Sequence, residues 1–349
     1  DLRCPVNELR GFQHRVGRAM PAIDPRMFAE FEAFAQLYIV RNFPPLAIDE
    51  FDTTFEQFAA ESRKPKSYLQ KLWSSYVESG SVDLSSSYSS FLKDESYSSI
   101  KYPRTIQGPC EQIKTILLPI THAIDAKFFK NTRFVKKVPV DRRGPLILET
   151  LHDGPIGTND YSSFECHFSH QRTRIFRFFY EHMLRAHPNR RIVDFVTRCA
   201  IGVNKCRYNY FKMSVRDRLM SGLPWTSQLN SLQNLLYTSF ALSWRPDREV
   251  YQAPWEKIER AAKRAQTLKI FVEGDDSIFN IPHDTTIELV NRVLERLGCV
   301  AKIQTFSRAT EASFCGIVCT DRMEMITDPI KIFCNFFTVP KQYSFSKLT

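Results

Sequence analysis

One twelve-residue stretch constrains this chain more than any other: Leu268-Lys269-Ile270-Phe271-Val272-Glu273-Gly274-Asp275-Asp276-Ser277-Ile278-Phe279. Apolar residues run up to Gly274 and resume at Ile278, with Gly-Asp-Asp between them. That pattern predicts strand, tight turn, strand. Buried arms would hold the tip still, and the tip carries two adjacent carboxylates. Hard oxygen ligands fixed in this way suit Mg²⁺ or Mn²⁺. Asp and Gly are also ordinary turn formers, so a Gly-Asp-Asp turn taken alone is more often a plain surface turn than a catalytic one.

Further acids and polar residues recur at set distances before it. Residues 157–169 carry Asp160 and Glu165 ahead of a helical pattern with Phe176, Phe179, Tyr180, Met183 and Leu184 on one face. Asp160 is placed to face the Gly274–Asp276 tip and complete a metal site. His167 and His170 read as exposed histidines at a helix start, with metal ligation the sharper alternative. Ser221-Gly222-Leu223-Pro224-Trp225-Thr226-Ser227-Gln228-Leu229-Asn230 reads as a loop entering a helix. Thr226 and Asn230 are one helical turn apart and share a face, where a hydroxyl and an amide can bond a sugar. A helix N-terminus capped by Thr226 or Ser227 explains the same residues.

After the hairpin, Thr285-Thr-Ile-Glu288 predicts a capping box. Ile287, Val290, Leu294 and Leu297 then predict an amphipathic helix stopped by Gly298. A strand over 300–306 carries Lys302, and 312–327 reads as a second hairpin. Residues 79–99 hold ten serines in 21 positions and read as a flexible loop. In residues 1–78, Met27, Phe28, Phe31, Phe34, Ala35 and Tyr38 form a helix face that Pro44-Pro45 ends.

Charge separates these regions. The formal net charge is +10, which favours a polyanionic partner. Residues 1–100 carry 11 basic and 14 acidic side chains, residues 101–150 carry 10 and 4, and residues 171–220 carry 12 and 3. Lys101, Arg104, Arg133, Lys136, Lys137, Arg142 and Arg143 would line a phosphate-binding wall, although each taken singly fits a solvated face. The nine cysteines are odd in number and include no Cys-x-x-Cys pair. They read as free thiols and argue against a zinc site. No apolar run reaches membrane-spanning length. The sequence starts at Asp1 rather than Met, and a piece of a longer product is the expectation.

In order, the chain runs basic segment, Asp160-x4-Glu165, Ser-Gly-x3-Thr-x3-Asn, Gly-Asp-Asp, helix and strand with a lysine, hairpin. Together these resemble the palm of the viral RNA-dependent RNA polymerases of positive-strand RNA viruses. Asp160–Glu165 resembles motif A, Ser221–Asn230 motif B, Gly274–Asp276 motif C, Gly298–Lys302 motif D, and Phe314-Cys315-Gly316 motif E. Lys93-Asp94-Glu95 through Lys101 and Arg104 resembles motif F. Asp160-Tyr-Ser-Ser-Phe-Glu and Val272-Glu-Gly-Asp-Asp resemble the tombus-like and noda-like group most. The likeness covers about residues 90–335. It departs in two places: Glu165 stands where a second Asp is usual, and the chain stops soon after motif E, so the thumb is expected to be absent or truncated.

The resemblance implies an α+β right-hand polymerase fold, with a palm built on an antiparallel sheet and helices. Fingers are expected over 1–150, with the Ser-rich loop at 79–99 and motif F at 91–107. Palm is expected at 151–170 and 216–335, a fingers or palm insertion at 171–215, and the start of a thumb at 336–349. It implies nucleotidyl transfer from an NTP to an RNA 3′-hydroxyl with two Mg²⁺ or Mn²⁺ ions held by Asp160, Asp275 and Asp276, and Lys302 as general acid. Lys93, Lys101 and Arg104 would meet the triphosphate. Glu165, Ser221, Gly222, Thr226 and Asn230 would position template and ribose. Phe314, Cys315 and Gly316 would touch primer or RNA. Partners would be RNA template, nascent RNA, NTPs and other viral replication proteins. The place of action would be host cytoplasm, in a replication complex anchored to membrane by regions outside this chain.

Three rivals share parts of the pattern. A reverse transcriptase has the same palm, but its hairpin typically carries an aromatic residue where Glu273-Gly274 stands. A non-catalytic RNA-binding replication protein has no need of three Asp residues with Ser-Gly-x3-Thr-x3-Asn between them. A metal-dependent nuclease pairs carboxylates but does not need that stretch either.

Overall fold

The computed structural model describes residues 3–51, 55–62, 64–79, 87–94, 101–152, 154–200, 203–246, 254–327 and 332–333. Helices α1 (Pro5–His14), α2 (Pro25–Asn42), α3 (Phe55–Glu61) and α4 (Lys66–Ser79) come first. Strands β1 (Ser87–Leu92) and β2 (Thr105–Gly108) and helices α5 (Glu111–Phe128) and α6 (Val140–Thr150) follow. Next are β3 (Ile156–Tyr161), α7 (His170–Met183), α8 (Arg190–Ala200), β4 (Val203–Arg207) and β5 (Lys212–Arg216). Helices α9 (Thr226–Ser243) and α10 (Pro254–Thr267) lead into β6 (Ile270–Glu273) and β7 (Asp276–Asn280). The last elements are α11 (Ile287–Arg296), β8 (Ala301–Phe306), β9 (Ser313–Phe314), β10 (Ile317–Cys319) and β11 (Met325–Thr327).

The hairpin expected around Gly-Asp-Asp is β6–β7. Glu273 pairs with Asp276, so Gly274 and Asp275 form a two-residue turn. Gly274 has φ +62°, a conformation that favours glycine. Strand β7 continues into a four-stranded antiparallel sheet of order β6-β7-β3-β8.

Strand alternation gives this sheet two unlike faces. Ile270, Val272, Phe279, Tyr161 and Ala301 point into the main core, where helices α2, α7, α9 and α11 also bury their apolar residues. Phe271, Ile278 and Ile156 point the other way, into a smaller core with Ile147 and Leu151 at α6 and with Phe314. Helix α9 is buried all round from Ser231 to Ser243. Burial makes partners inside the protein valuable to its polar side chains; Ser231, Asn234 and Thr238 have them, and Gln233 has none among the described residues.

A second sheet, β2-β1-β4-β5, joins β1 and β4 in parallel and is otherwise antiparallel. Tyr88, Leu92, Asn204 and Cys206 face inward, while Phe91, Val203, Lys205 and Arg207 are exposed.

Three expectations change. The serine-rich stretch contains a strand, β1, in which Tyr88, Ser90 and Leu92 turn inward and the backbone pairs with β2 and β4; residues 80–86 and 95–100 lie outside the described residues. The helix after the hairpin is capped one residue later than expected: the Thr286 side chain accepts from the Leu289 amide. The second hairpin is a three-stranded meander, β9-β10-β11. The expected start of a thumb at 336–349 lies outside the described residues.

Candidate active site

The register of the central sheet lines up a row of charged side chains at one end. Glu273 on β6 is opposite Asp276 on β7. One step beyond the Asn159–Ser277 pair, Asp160 on β3 comes opposite Asp276. Asp160 is in turn paired with Lys302 on β8. Directly opposed residues share a face, so Glu273, Asp276, Asp160 and Lys302 run across the sheet on the face away from α9, with Asp275 at the exposed tip. Sequence reasoning brought Asp160, Asp275, Asp276 and Lys302 forward and missed Glu273. Its signal was present, since a two-residue turn makes the residue before Gly274 the partner of Asp276.

The row is electrostatically unbalanced on its acidic side. Asp276 is pushed up to about 6, chiefly by burial and then by the carboxylates of Asp275 and Asp160, with Glu273 adding to it. A hydrogen bond from the Cys315 thiol partly offsets this. Burial, followed by the charges of Asp276 and Glu273, raises the Cys315 thiol far above its usual range, so it stays a protonated donor. Glu273 itself is matched by Arg143 of α6, Nη1 to Oε2 at 2.7 Å. Among the described residues no three His, Cys, Asp or Glu side chains converge closely enough to hold an ion alone. Crowded, mutually repelling carboxylates nonetheless fit a hard dication such as Mg²⁺, which is held by one or two carboxylates with waters and substrate phosphates rather than by a protein cage.

Strand β3 gives way to a short 3-10 turn, Phe164–His167, that carries Glu165. Glu165 forms an ion pair with Arg15, Nε to Oε1 at 2.8 Å. Arg18 donates to the Ser162 hydroxyl at 2.8 Å, and Ser163 donates to the His14 carbonyl at 3.1 Å. The segment after α1 is thus bonded along the turn that follows Asp160, a role for residues 1–80 with no signal in the sequence. His167 is not an exposed helix-start histidine: it is fully buried, and its Nε2 accepts from the Val300 amide at 2.9 Å. Burial, and then the Arg172 charge, lower it to about 3, so it is a neutral structural acceptor. His170 is exposed beside Asp217.

The Ser-Gly stretch packs on the second sheet. Gly222 donates to the Gln107 carbonyl at 3.1 Å, and a Cβ at Gly222 would lie 2.5 Å from that oxygen. The Ser221 hydroxyl lies 3.3 Å from the Thr105 carbonyl and 3.0 Å from Gln107 Oε1. Thr226 donates to the carbonyls of Leu223 and Met220 at 2.8 and 3.1 Å, closing the turn into α9. Asn230 is half-buried one turn on, and its buried Oδ1 has no hydrogen-bond partner among the described residues. Lys93 and Arg104 face each other at the loop end of the β1–β2 hairpin, where the Lys93 amide donates to the Arg104 carbonyl at 2.8 Å, and Lys101 is exposed just before β2.

Two expectations are corrected in detail. Arg133 and Arg143 are not free cations but are engaged within the protein: Arg133 bonds the Ala265 and Gln266 carbonyls at the end of α10, and Arg143 holds Glu273. Phe314 is core, packed with Ile147 and Ile278, so of the expected RNA-contacting trio only Cys315 and Gly316 form the β9–β10 turn.

A family model described as viral RNA-dependent RNA polymerase matches residues 137–332, more than half of the chain. The match takes in Asp160, the Ser-Gly stretch, the hairpin and Lys302, the residues whose geometry is given above. No curated protein matches the chain.

Proposed function

We propose a function from one finding: the chain belongs to the viral RNA-dependent RNA polymerase family and is an RNA-directed RNA polymerase, a nucleotidyltransferase. From that premise we propose that it replicates a positive-strand viral RNA genome by template-directed transfer of nucleotides from NTPs to an RNA 3′-hydroxyl, with the charged row as its catalytic centre. The observation that carries this reading is the alignment of Asp276, Asp160 and Lys302 across three neighbouring strands, with Asp275 at the turn beside them. Affinity with the tombus-like and noda-like group rests on Asp160-Tyr-Ser-Ser-Phe-Glu and Val272-Glu-Gly-Asp-Asp alone.

Asp160, Asp275 and Asp276 would hold two Mg²⁺ or Mn²⁺ ions. When bound, such ions lower the pKa of the attacking hydroxyl and neutralise charge on the triphosphate and departing pyrophosphate. The 3′-hydroxyl releases its proton to solvent, its oxygen bonds to the α-phosphorus as the bond to pyrophosphate breaks, and Lys302 supplies a proton to the leaving oxygen. Arg104, with Lys93 and Lys101, screens the incoming triphosphate through charge-assisted hydrogen bonds. Reading of the 2′-hydroxyl is assigned to Asn230 and Glu165, and support of the template to the turn that Ser221, Gly222 and Thr226 shape. The 2′-hydroxyl is what separates RNA from DNA at such a site. The side chains of Lys205, Arg207, Lys212 and Arg216, which alternate on β4 and β5, make no hydrogen bond or ion pair among the described residues and support a polyanionic partner. No described helix is long and apolar enough to cross a membrane, and attachment to a membrane-bound complex in host cytoplasm would rest on other regions.

Primer extension on an RNA template with labelled NTPs or dNTPs and Mg²⁺ tests the proposal. Template-dependent extension with NTPs alone is expected. Extension with dNTPs would instead indicate a reverse transcriptase, shortening of the primer a nuclease, and binding without extension a non-catalytic RNA-binding protein.

A further inference from the structure

Inside α9, three polar side chains lie at helical spacing with essentially no exposure: Ser231, Asn234 and Thr238. The Gly274 amide donates to Ser231 Oγ at 3.0 Å. The Gly274 carbonyl accepts from Asn234 Nδ2 at 3.2 Å. Both polar groups of the residue before Asp275 are therefore held by one helix, one turn apart. Thr238 donates to Asn234 Oδ1 at 3.1 Å, which fixes the amide so that its nitrogen faces Gly274. Asn159 Nδ2 lies 3.4 Å from the Thr238 hydroxyl and 3.2 Å from the Tyr161 hydroxyl. The chain of bonds thus runs from the backbone ahead of Asp275 to the residue ahead of Asp160.

We propose that Ser231 and Asn234 are positioning residues: a two-point clamp that fixes the Gly274 peptide and thereby sets where Asp275 presents its carboxylate to metal. Gly274 needs such a clamp because a Cβ there would meet no atom within 4 Å, so no side-chain packing restrains the turn. The clamp lies on the sheet face opposite the carboxylates and touches neither substrate nor metal. It rests on the reading of Asp275 as a metal ligand given above.

The test is Mn²⁺ binding without substrate, followed by electron paramagnetic resonance of the free ion, on wild type, Ser231→Ala, Asn234→Ala and Ser243→Ala. Ser243 is buried on the same helix and takes no part in the clamp. Ser231→Ala is expected to weaken Mn²⁺ binding by roughly three- to tenfold, the loss of about one hydrogen bond. The Mg²⁺ concentration for half-maximal incorporation should rise in parallel, with the KM for NTP unchanged. Should Asn234→Ala fail to fold, Ser231→Ala decides the matter alone. A folded Ser231→Ala protein that titrates with Mn²⁺ as wild type overturns the clamp. So does an equal loss in Ser243→Ala, which would mean general loosening of the helix, and so does a wild-type protein that binds no Mn²⁺. A wild-type protein that binds Mn²⁺ but incorporates no nucleotide would defeat the polymerase mechanism while the binding comparison still judges the clamp.

Discussion

Asp160 and Lys302 stand directly opposite each other on β3 and β8, so an acid expected to hold metal and an ammonium expected to give a proton share one sheet face. From its sequence Lys302 is equally well a surface strand lysine; its register places it in the charged row. As a general acid it should be worth roughly 10²-fold or more in rate. Lys302→Leu should lower kcat by about that factor with the KM for NTP little changed. Incorporation within a few-fold of wild type would return Lys302 to the surface.

Asp275→Asn and Asp160→Asn should each abolish incorporation while the melting temperature holds, because each removes charge and almost no volume. Single-nucleotide extension beside a melting curve is sufficient. Either variant retaining near-wild-type extension would break the metal assignment.

Metal-free protein should lose stability as pH rises from about 4 to 7 at one identifiable group. Asp276 titrates near 6 in the folded protein against about 3.9 unfolded. Between those values the folded state holds a proton the unfolded state has released, so stability falls with rising pH. The cost at pH 7 is on the order of 2–3 kcal/mol. In urea melts with EDTA, Asp276→Asn should therefore gain on wild type across this range, and Mg²⁺ should help wild type more than the variant. Parallel stability curves for the two proteins would contradict the crowding described here.

Gly222→Ala should damage the fold. Its methyl would sit 2.5 Å from the Gln107 carbonyl oxygen and 2.9 Å from Gly108 Cα, both backbone atoms. Overpacking of this kind costs about 1–3 kcal/mol, and β2 must move. A lower denaturation midpoint with weaker NTP use is expected. Wild-type stability would show that the two segments separate freely.

Sugar choice should depend on Asn230 and, through Glu165, on Arg15. A site built to bond a hydroxyl rejects a substrate lacking it, because its own polar groups are left unpaired. Asn230→Ala should erode the preference for CTP over dCTP, mainly by slowing CTP use. Arg15→Ala should erode it less, since it frees Glu165 from a partner 2.8 Å away without removing it. Unaltered ratios in both folded variants would exclude this face from ribose recognition.

The Gly-Asp-Asp hairpin was legible because everything that makes it is local: two apolar arms, a glycine that tolerates φ +62°, and acids at the turn. Helix α11 was legible for the same reason, apart from its cap at Thr286. What could not be read depends on which distant segments meet. Glu165 is matched by Arg15, Gly222 packs on Gln107, and Ser231 with Asn234 hold Gly274. None of these pairs has a spacing that marks it. His167 shows the converse, a residue read as exposed from its neighbours and buried by the 3-10 turn that carries it.

Strand β3 lies between β7 and β8, and both of those strands come far later in the chain. As the polypeptide emerges during synthesis, the strand bearing Asp160 must wait without hydrogen-bonding neighbours until the residues around 280 and 300 arrive. Contacts so distant in sequence form slowly, since the intervening loop must be closed before they are rewarded. The charged row therefore comes together late and as a whole. A nascent chain released before β8 would hold every acid of the row and lack the strand that sets Lys302 opposite Asp160.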